Sequence, residues 1–117
     1  MEIDITNITP DIRRLAEMEN VVYDKQWFSL ADKNTVLYRM YRKLEVNNGL
    51  RYDITIIPPN KFGEELVKTK GHIHAGFYGE VYMVLEGEGF YLAQKRDENT
   101  IEDVFVSHRK KGDVILI

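Results

Sequence analysis

The chain has 117 residues, 44% of them hydrophobic, so it can bury roughly two thirds of its unfolded surface around one core. Its 16 basic and 19 acidic residues leave a net charge of -3, which gives no sign of a nucleic-acid or membrane partner. The lack of cysteine excludes disulfide and thiolate chemistry within this sequence. We find neither a signal-peptide pattern nor an apolar run of the ~18 residues that a membrane span needs. We therefore expect a cytoplasmic protein with a single domain over residues 1–117.

The first predicted element is a short helix over residues 10–19. Thr9 suits the N-cap, Pro10 suits the first helical position, and Asp11 favours the positive end of the helix dipole. Four residues then follow at helical spacing: Ile12, Leu15, Ala16 and Glu19.

After this helix the sequence favours β-strands. Short runs rich in β-branched and aromatic residues span 36–43, 50–57, 65–69, 80–85, 89–94, 101–106 and 114–117. Asn48 and Gly49 indicate a hairpin turn, because both residues tolerate positive φ. Pro58 and Pro59 end the second run, because proline cannot donate to a strand ladder. Short strands separated by glycine-rich turns predict an all-β sandwich or barrel.

Two histidines one residue apart, His72 and His74, are candidate metal ligands. In extended backbone their side chains point to the same side, and Glu80 opens the next predicted strand after a short connection. Either histidine alone would be explained more simply as a core or surface residue. Two imidazoles and a carboxylate together are the ligand types that hold iron, manganese, nickel or zinc. The pattern therefore favours a divalent-metal site.

Other residues that chemistry would single out have simpler explanations. His108 lies in the charged run Ser107–Lys111, which predicts a turn, and we do not expect it to bind metal. The aromatic residues Phe90, Tyr91 and Phe105 are most simply packing residues.

The spacing His-x-His-x5-Glu-x6-Gly, which ends at Gly87, resembles the first sequence motif of the cupins, with one or two extra residues before the glutamate. The runs Asp11–Glu19, Thr69–His74 and Glu80–Tyr82 resemble, more specifically, the cupin-type glucose-6-phosphate isomerase family of archaea and some bacteria. The similarity extends over residues 10–117. It implies a double-stranded β-helix, a jelly-roll barrel with the metal inside, in a homodimer. It also implies a sugar-phosphate substrate and the interconversion of glucose 6-phosphate and fructose 6-phosphate.

The resemblance assigns the metal ligands residue by residue, as His72, His74 and Glu80. It implies a divalent ion, iron first, with manganese, nickel and zinc as alternatives. Glu80 is also the implied proton-transferring base. Metal-assisted hydride transfer between the two carbons is a rival mechanism that the sequence does not separate from proton transfer.

The resemblance also assigns the substrate contacts. Thr55, Thr69 and Gly71 match positions that contact the phosphate, and Tyr82 matches a catalytic-site tyrosine that faces the sugar. From the residues alone, both threonines could be ordinary strand residues and Tyr82 could be core. Strict alternation places Lys70 on the histidine face and Thr69 on the other, unless a bulge at Gly71 re-aims Thr69. Lys70 is then either a phosphate counter-charge or a solvated edge charge.

The chain departs from the family pattern in its second motif, which begins with a glycine, five residues and a proline, followed by a fourth ligand histidine. Gly112 and residues 113–117 supply the glycine and the five residues, so the final ligand is expected to be missing. A truncated chain, a barrel completed by a second chain and an inactive descendant all remain open. Two other functions also remain open: another metal-dependent cupin enzyme such as a dioxygenase, and a non-catalytic cupin that binds a sugar phosphate.

Overall fold

The computed structural model describes residues 4–72, 80–97 and 100–116, with residues 96 and 97 described by their backbone alone. Inter-residue contacts divide the chain into two compact units, residues 1–72 and 73–117. The elements of the first unit are β1 (Asp11–Arg14), a 3-10 helix (Leu15–Val21), α1 (Lys25–Leu30), β2 (Val36–Asn47), β3 (Leu50–Ile56), β4 (Lys61–Phe62) and β5 (Glu65–Leu66). Those of the second unit are β6 (Val81–Met83), β7 (Glu88–Asp97), β8 (Thr100–Lys110) and β9 (Val114–Leu116). Antiparallel strands predominate, which confirms the all-β class, and the double-stranded β-helix stays a prediction.

The predicted N-terminal helix over residues 10–19 is wrong. Residues 11–14 form β1, which pairs antiparallel with β2, and the 3-10 helix begins only at Leu15. The backbone N–H of Leu15 donates to the Thr35 carbonyl at 3.0 Å, so pairing with a distant segment outweighs local helix propensity. Leu15 and Met18 are buried three residues apart, a spacing that suits the three residues per turn of a 3-10 helix.

The sheet of the first unit has the order β1-β2-β3. Asn48 and Gly49 turn β2 into β3 with φ angles of 51° and 81°, which confirms the predicted hairpin. β3 ends at Ile56, shortly before the two prolines, as expected. β2 runs four residues further than predicted, and its register with β3 shifts between Tyr41 and Glu45.

The core of the first unit lies between this sheet and the helices. Its buried side chains are Leu15, Met18, Val22, Phe28, Leu37, Tyr38 and Phe62. The Trp27 ring stacks on Phe62 at a centroid distance of 5.9 Å, and the Asp24 carboxylate caps α1 by accepting from the Trp27 N–H at 2.9 Å. The sequence pattern did not predict α1. Neither helix that the structure describes has the length and apolar character needed to cross a bilayer.

The second unit contains two antiparallel pairs, β6 with β9 and β7 with β8. β7 and β8 form a long hairpin in which Glu88 lies opposite Lys110. β8 leads into β9 through a turn in which the Asp113 N–H donates to the Lys110 carbonyl at 2.9 Å, and Gly112 has φ 93°. The predicted strands of this unit are confirmed, with longer bounds for β7 and β8 and a shorter β6.

Candidate functional site

Thr55, the first predicted phosphate contact, lies on β3 in the sheet of the first unit. It is the direct cross-strand partner of Met40 on β2, so the two side chains stand on the same face. Met40 is partly buried against the core, whereas Thr55 is exposed. The Thr55 hydroxyl therefore lies where the core face meets solvent, and it can donate a hydrogen bond to a bound anion.

The segment of residues 67–71, which carries the other two predicted phosphate contacts, is not a strand. β5 ends at Leu66, so the predicted strand over 65–69 is wrong beyond that residue. Gly71 has φ 82°, in the left-handed region that glycine adopts without strain. Gly71 thus departs from the extended backbone that strict alternation requires, and Thr69, Lys70 and Gly71 are all exposed.

Two contacts tie this segment to the body of the unit. The Val67 N–H donates to the Asn60 carbonyl at 3.0 Å, and the Val67 side chain packs against the core. The Lys70 N–H donates to the hydroxyl of Tyr38 at 3.0 Å. The first bond continues the β4–β5 pairing by one position, since Lys61 lies opposite Leu66, and beyond it the Lys70 N–H is satisfied by a side chain.

Of the two histidines, the structure describes only the first. His72 is exposed at the end of the first unit and lies outside any strand. His74 lies outside the described residues. Among the residues that are described, no three or more His, Cys, Asp or Glu side chains are grouped closely enough to hold a metal ion. The ligand set of His72, His74 and Glu80 thus stays a prediction.

Glu80 and Tyr82 lie at the start of the second unit. Glu80 is half-buried and directly precedes β6, which begins one residue later than predicted. Tyr82 pairs with Ile115 of β9, and its ring lies 5.7 Å from the ring of Tyr91 on β7, with an interplanar angle of 48°. This contact joins two strands that are not hydrogen-bonded to each other.

Tyr91 is the residue of this group that sequence reasoning missed. Burial raises the pKa of the Tyr91 phenol, and the negative charge of Glu80 raises it further. The Glu80 carboxylate is thus close enough to act on Tyr91 electrostatically, and the phenol stays protonated at neutral pH. The sequence contained no signal for this, because Tyr91 stands in the continuous apolar run of residues 90–93, which any packed strand could carry.

The charged residues around His108 predicted a turn, and this prediction is wrong, because His108 lies within β8. Its Nε2 lies 3.1 Å from a carboxylate oxygen of Glu88, and its ring lies 5.2 Å from that of Phe90. Both members of the His108–Glu88 pair are more than half exposed. Such an exposed pair contributes little to stability.

Comparison with known proteins agrees with the resemblance seen in the sequence. A sequence model of the family described as glucose-6-phosphate isomerase (GPI) matches residues 12–117. A glucose-6-phosphate isomerase from Pyrococcus furiosus is 38% identical over 88 residues, 71% of this chain and 47% of that protein. One from Thermococcus litoralis is 33% identical over 95 residues, 77% of this chain and 50% of that protein. The chain therefore spans about half the length of these curated relatives.

Proposed function

Because the chain belongs to the glucose-6-phosphate isomerase family, we propose that it catalyses the interconversion of glucose 6-phosphate and fructose 6-phosphate. The observation that carries the proposal is the family match over residues 12–117, which includes every candidate substrate and metal residue. The curated relatives that carry the name glucose-6-phosphate isomerase support the same reaction. The homodimer and the cytoplasmic location stay predictions.

The phosphate of the substrate would bind to the first unit. Thr55 and Thr69 are exposed and can each donate a hydroxyl hydrogen to a phosphate oxygen. Gly71 adds a backbone N–H in a segment with positive φ, a conformation that allows close approach of an anion. No Cβ atom stands in the way there, and even an added Cβ would meet nothing within 4 Å. Binding free energy from the phosphate would position the reacting carbons at the other end of the sugar.

The donor chemistry of His72, His74 and Glu80 fits a divalent transition metal. Imidazole and carboxylate groups suit iron, manganese, nickel and zinc, and three protein ligands leave positions for water or substrate. When bound, such an ion supplies a Lewis acid that polarises the carbonyl and stabilises negative charge on the neighbouring oxygens.

Glu80 would move the proton. Starting from fructose 6-phosphate, its carboxylate takes a proton from C1, the C1–H electron pair forms a C1=C2 double bond, and the C2 oxygen gains a proton to give the enediol. The proton then goes to C2 while the C1 hydroxyl loses its proton and becomes the aldehyde of glucose 6-phosphate. No oxidant is consumed, because the two carbons exchange oxidation states. Glu80 is half-buried, with one carboxylate oxygen shielded from solvent, and Tyr82, two residues further along on β6, would face the sugar.

The test is a coupled assay of fructose 6-phosphate conversion. The purified protein is stripped with a chelator and then supplied separately with iron, manganese, nickel or zinc, and metal uptake is measured in parallel. We expect metal-dependent turnover that His72→Ala abolishes together with metal uptake. His108→Ala is the matched control, because His108 is exposed and paired only at the surface.

Three outcomes separate the functions. Turnover lost in His72→Ala and kept in His108→Ala supports the isomerase. Metal uptake and sugar-phosphate binding without turnover would instead support a non-catalytic sugar-phosphate-binding cupin. Iron-dependent oxygen consumption without isomerisation would favour an oxygenase.

A further inference from the structure

The hydroxyl of Tyr38 occupies an unusual position in the first unit. The Tyr38 side chain is only 3% exposed and belongs to the hydrophobic core, yet its hydroxyl reaches the surface segment and accepts the Lys70 N–H at 3.0 Å. This bond joins residues 32 positions apart in the sequence. A core tyrosine held by its packed ring is a rigid acceptor, because the ring has lost its rotameric freedom.

The bond falls at the centre of the proposed phosphate-binding segment. Lys70 lies between Thr69 and Gly71, which would supply a hydroxyl and an N–H to the phosphate. With its own N–H committed to Tyr38, Lys70 fixes the backbone on both sides. The preceding anchor at Val67 leaves only two residues, Lys68 and Thr69, between the two fixed points.

The same tyrosine also stands beside the third proposed contact. Tyr38 and Met40 are two residues apart on β2, so their side chains share one face of the sheet, and Thr55 pairs directly with Met40 on that face. Thr55 is therefore a diagonal neighbour of Tyr38 across the sheet. One buried side chain thus connects the strand that carries Thr55 with the segment that carries Thr69 and Gly71.

We infer that Tyr38 is a positioning residue for phosphate binding: its hydroxyl holds the Lys70 amide and thereby sets the segment of Thr69 and Gly71 relative to Thr55. The inference rests on the proposed function, since it takes these residues as the phosphate contacts. Tyr38 itself does not touch the ligand. Its effect is on the affinity for any ligand that carries a phosphate monoester, through the geometry of the donors.

The test compares Tyr38→Phe with wild-type protein, using inorganic phosphate and fructose 6-phosphate as probes. Tyr38→Phe keeps the packed ring and removes only the acceptor. We expect the Kd for inorganic phosphate and the KM for fructose 6-phosphate to rise about fivefold, the effect of one typical hydrogen bond, with little change in kcat. Tyr41→Phe is the control, because Tyr41 lies on the opposite face of the same strand, and it should leave both constants unchanged.

A merely structural role for Tyr38 would give a different pattern. A fall in the folded fraction lowers the apparent kcat and leaves KM and Kd unchanged, so that pattern would overturn the inference. An equal effect of Tyr41→Phe would overturn it as well.

Amide hydrogen exchange on the wild-type protein tests the geometry without a variant and without activity. The Lys70 amide should exchange more slowly than that of Thr69, and phosphate should shift the amide resonances of Thr69 and Gly71. A Lys70 amide that exchanges as fast as Thr69 would show that the bond does not form in solution. If wild-type protein binds phosphate but has no isomerase activity, the proposed function fails, and the Kd of Tyr38→Phe for inorganic phosphate still decides the role of Tyr38. If the wild-type protein does not bind phosphate, both the proposed isomerase function and the role of Tyr38 are wrong.

Discussion

The phenol rings of Tyr82 and Tyr91 lie 5.7 Å apart, in a tilted arrangement with 48° between their planes. The contact links β6, which carries the residue proposed to face the sugar, to the long hairpin of β7 and β8. Tilted aromatic pairs at this distance are favoured by the ring quadrupoles and contribute about 1 kcal/mol beyond the area that they bury. Tyr91 therefore restrains the ring of Tyr82, and its own hydroxyl remains protonated beside Glu80.

Replacing Tyr91 should separate the effect of its ring from that of its hydroxyl. Tyr91→Leu removes the ring contact, so we expect the free energy of unfolding to fall by about 1 kcal/mol and kcat/KM to fall with it. Tyr91→Phe keeps the ring, so it should retain most of the free energy of unfolding and most of kcat/KM. Chemical denaturation and the isomerase assay measure the two effects. If Tyr91→Phe loses as much stability as Tyr91→Leu, the hydroxyl rather than the ring contact is what matters.

Glycine substitutions test how closely the first unit is packed. A Cβ added to Gly63 would lie 2.9 Å from the Asp24 carboxylate and 3.1 Å from the Trp27 ring, and φ there is 64°. Asp24 is fixed as the cap of α1 and Trp27 by its stacking on Phe62, so neither can move aside. We expect Gly63→Ala to destabilise the protein by about 1–3 kcal/mol more than Gly49→Ala.

Gly49 is the matched control because it has φ 81° and would meet nothing within 4 Å. Both substitutions place alanine in the left-handed region, so the difference between them isolates the close packing at Gly63. Thermal or denaturant unfolding measures both. Equal losses of stability would mean that α1 and its cap shift freely.

Glu65 should make the stability of the first unit depend on pH in the acid range. Burial alone would raise the pKa of Glu65, but the Lys68 ammonium at 2.7 Å and the backbone N–H of Tyr23 at 2.6 Å outweigh it and lower the pKa. A carboxylate whose pKa is lower in the folded state stabilises that state above its unfolded pKa of 4.5, and the contribution is lost as pH falls through the folded pKa.

We expect Glu65→Gln to lower the free energy of unfolding by about 1 kcal/mol at neutral pH, because it removes the charge from these hydrogen bonds. The difference from wild type should shrink as pH falls from about 5 to 3. Urea unfolding at a series of pH values gives the measurement. Glu64→Gln is the control, since Glu64 is the exposed neighbour, and a similar pH dependence in that variant would contradict the assignment.

The strands were predictable where their signals are local. Asn48 and Gly49 tolerate positive φ and so favour a hairpin, and the β-branched and aromatic run of residues 101–106 favours extended backbone whatever lies around it. The strand at residues 11–14 was not predictable from local signals, because β1 exists only through its pairing with β2. Its helix signals at Thr9 and Pro10 are real but weaker than that pairing.

The candidate site shows the same division. One motif predicts His72, His74 and Glu80, and the family resemblance predicts Tyr82 and Thr55. The bond from Lys70 to Tyr38 joins residues far apart in the sequence, and nothing in a strand tyrosine marks it as an acceptor. The positive φ of Gly71 was expected only as an open alternative, since glycine permits that conformation without requiring it.

Proton transfer through Glu80 predicts that the product of fructose 6-phosphate conversion in D2O carries deuterium at C2. Glu80 is half-buried and one of its carboxylate oxygens is shielded from solvent, so a proton on the carboxylate exchanges with solvent only in part before it is returned. A hydride moved directly between the two carbons never exchanges, so deuterium at C2 would establish the proton route. Glu80→Gln should lower kcat by at least about 100-fold. Glu86→Gln should not, because the Glu86 side chain is 84% exposed and pairs with Lys111 at the surface. NMR of the glucose 6-phosphate formed measures the deuterium directly, and a Glu80→Gln variant that retains both turnover and deuterium incorporation would assign the base to another residue.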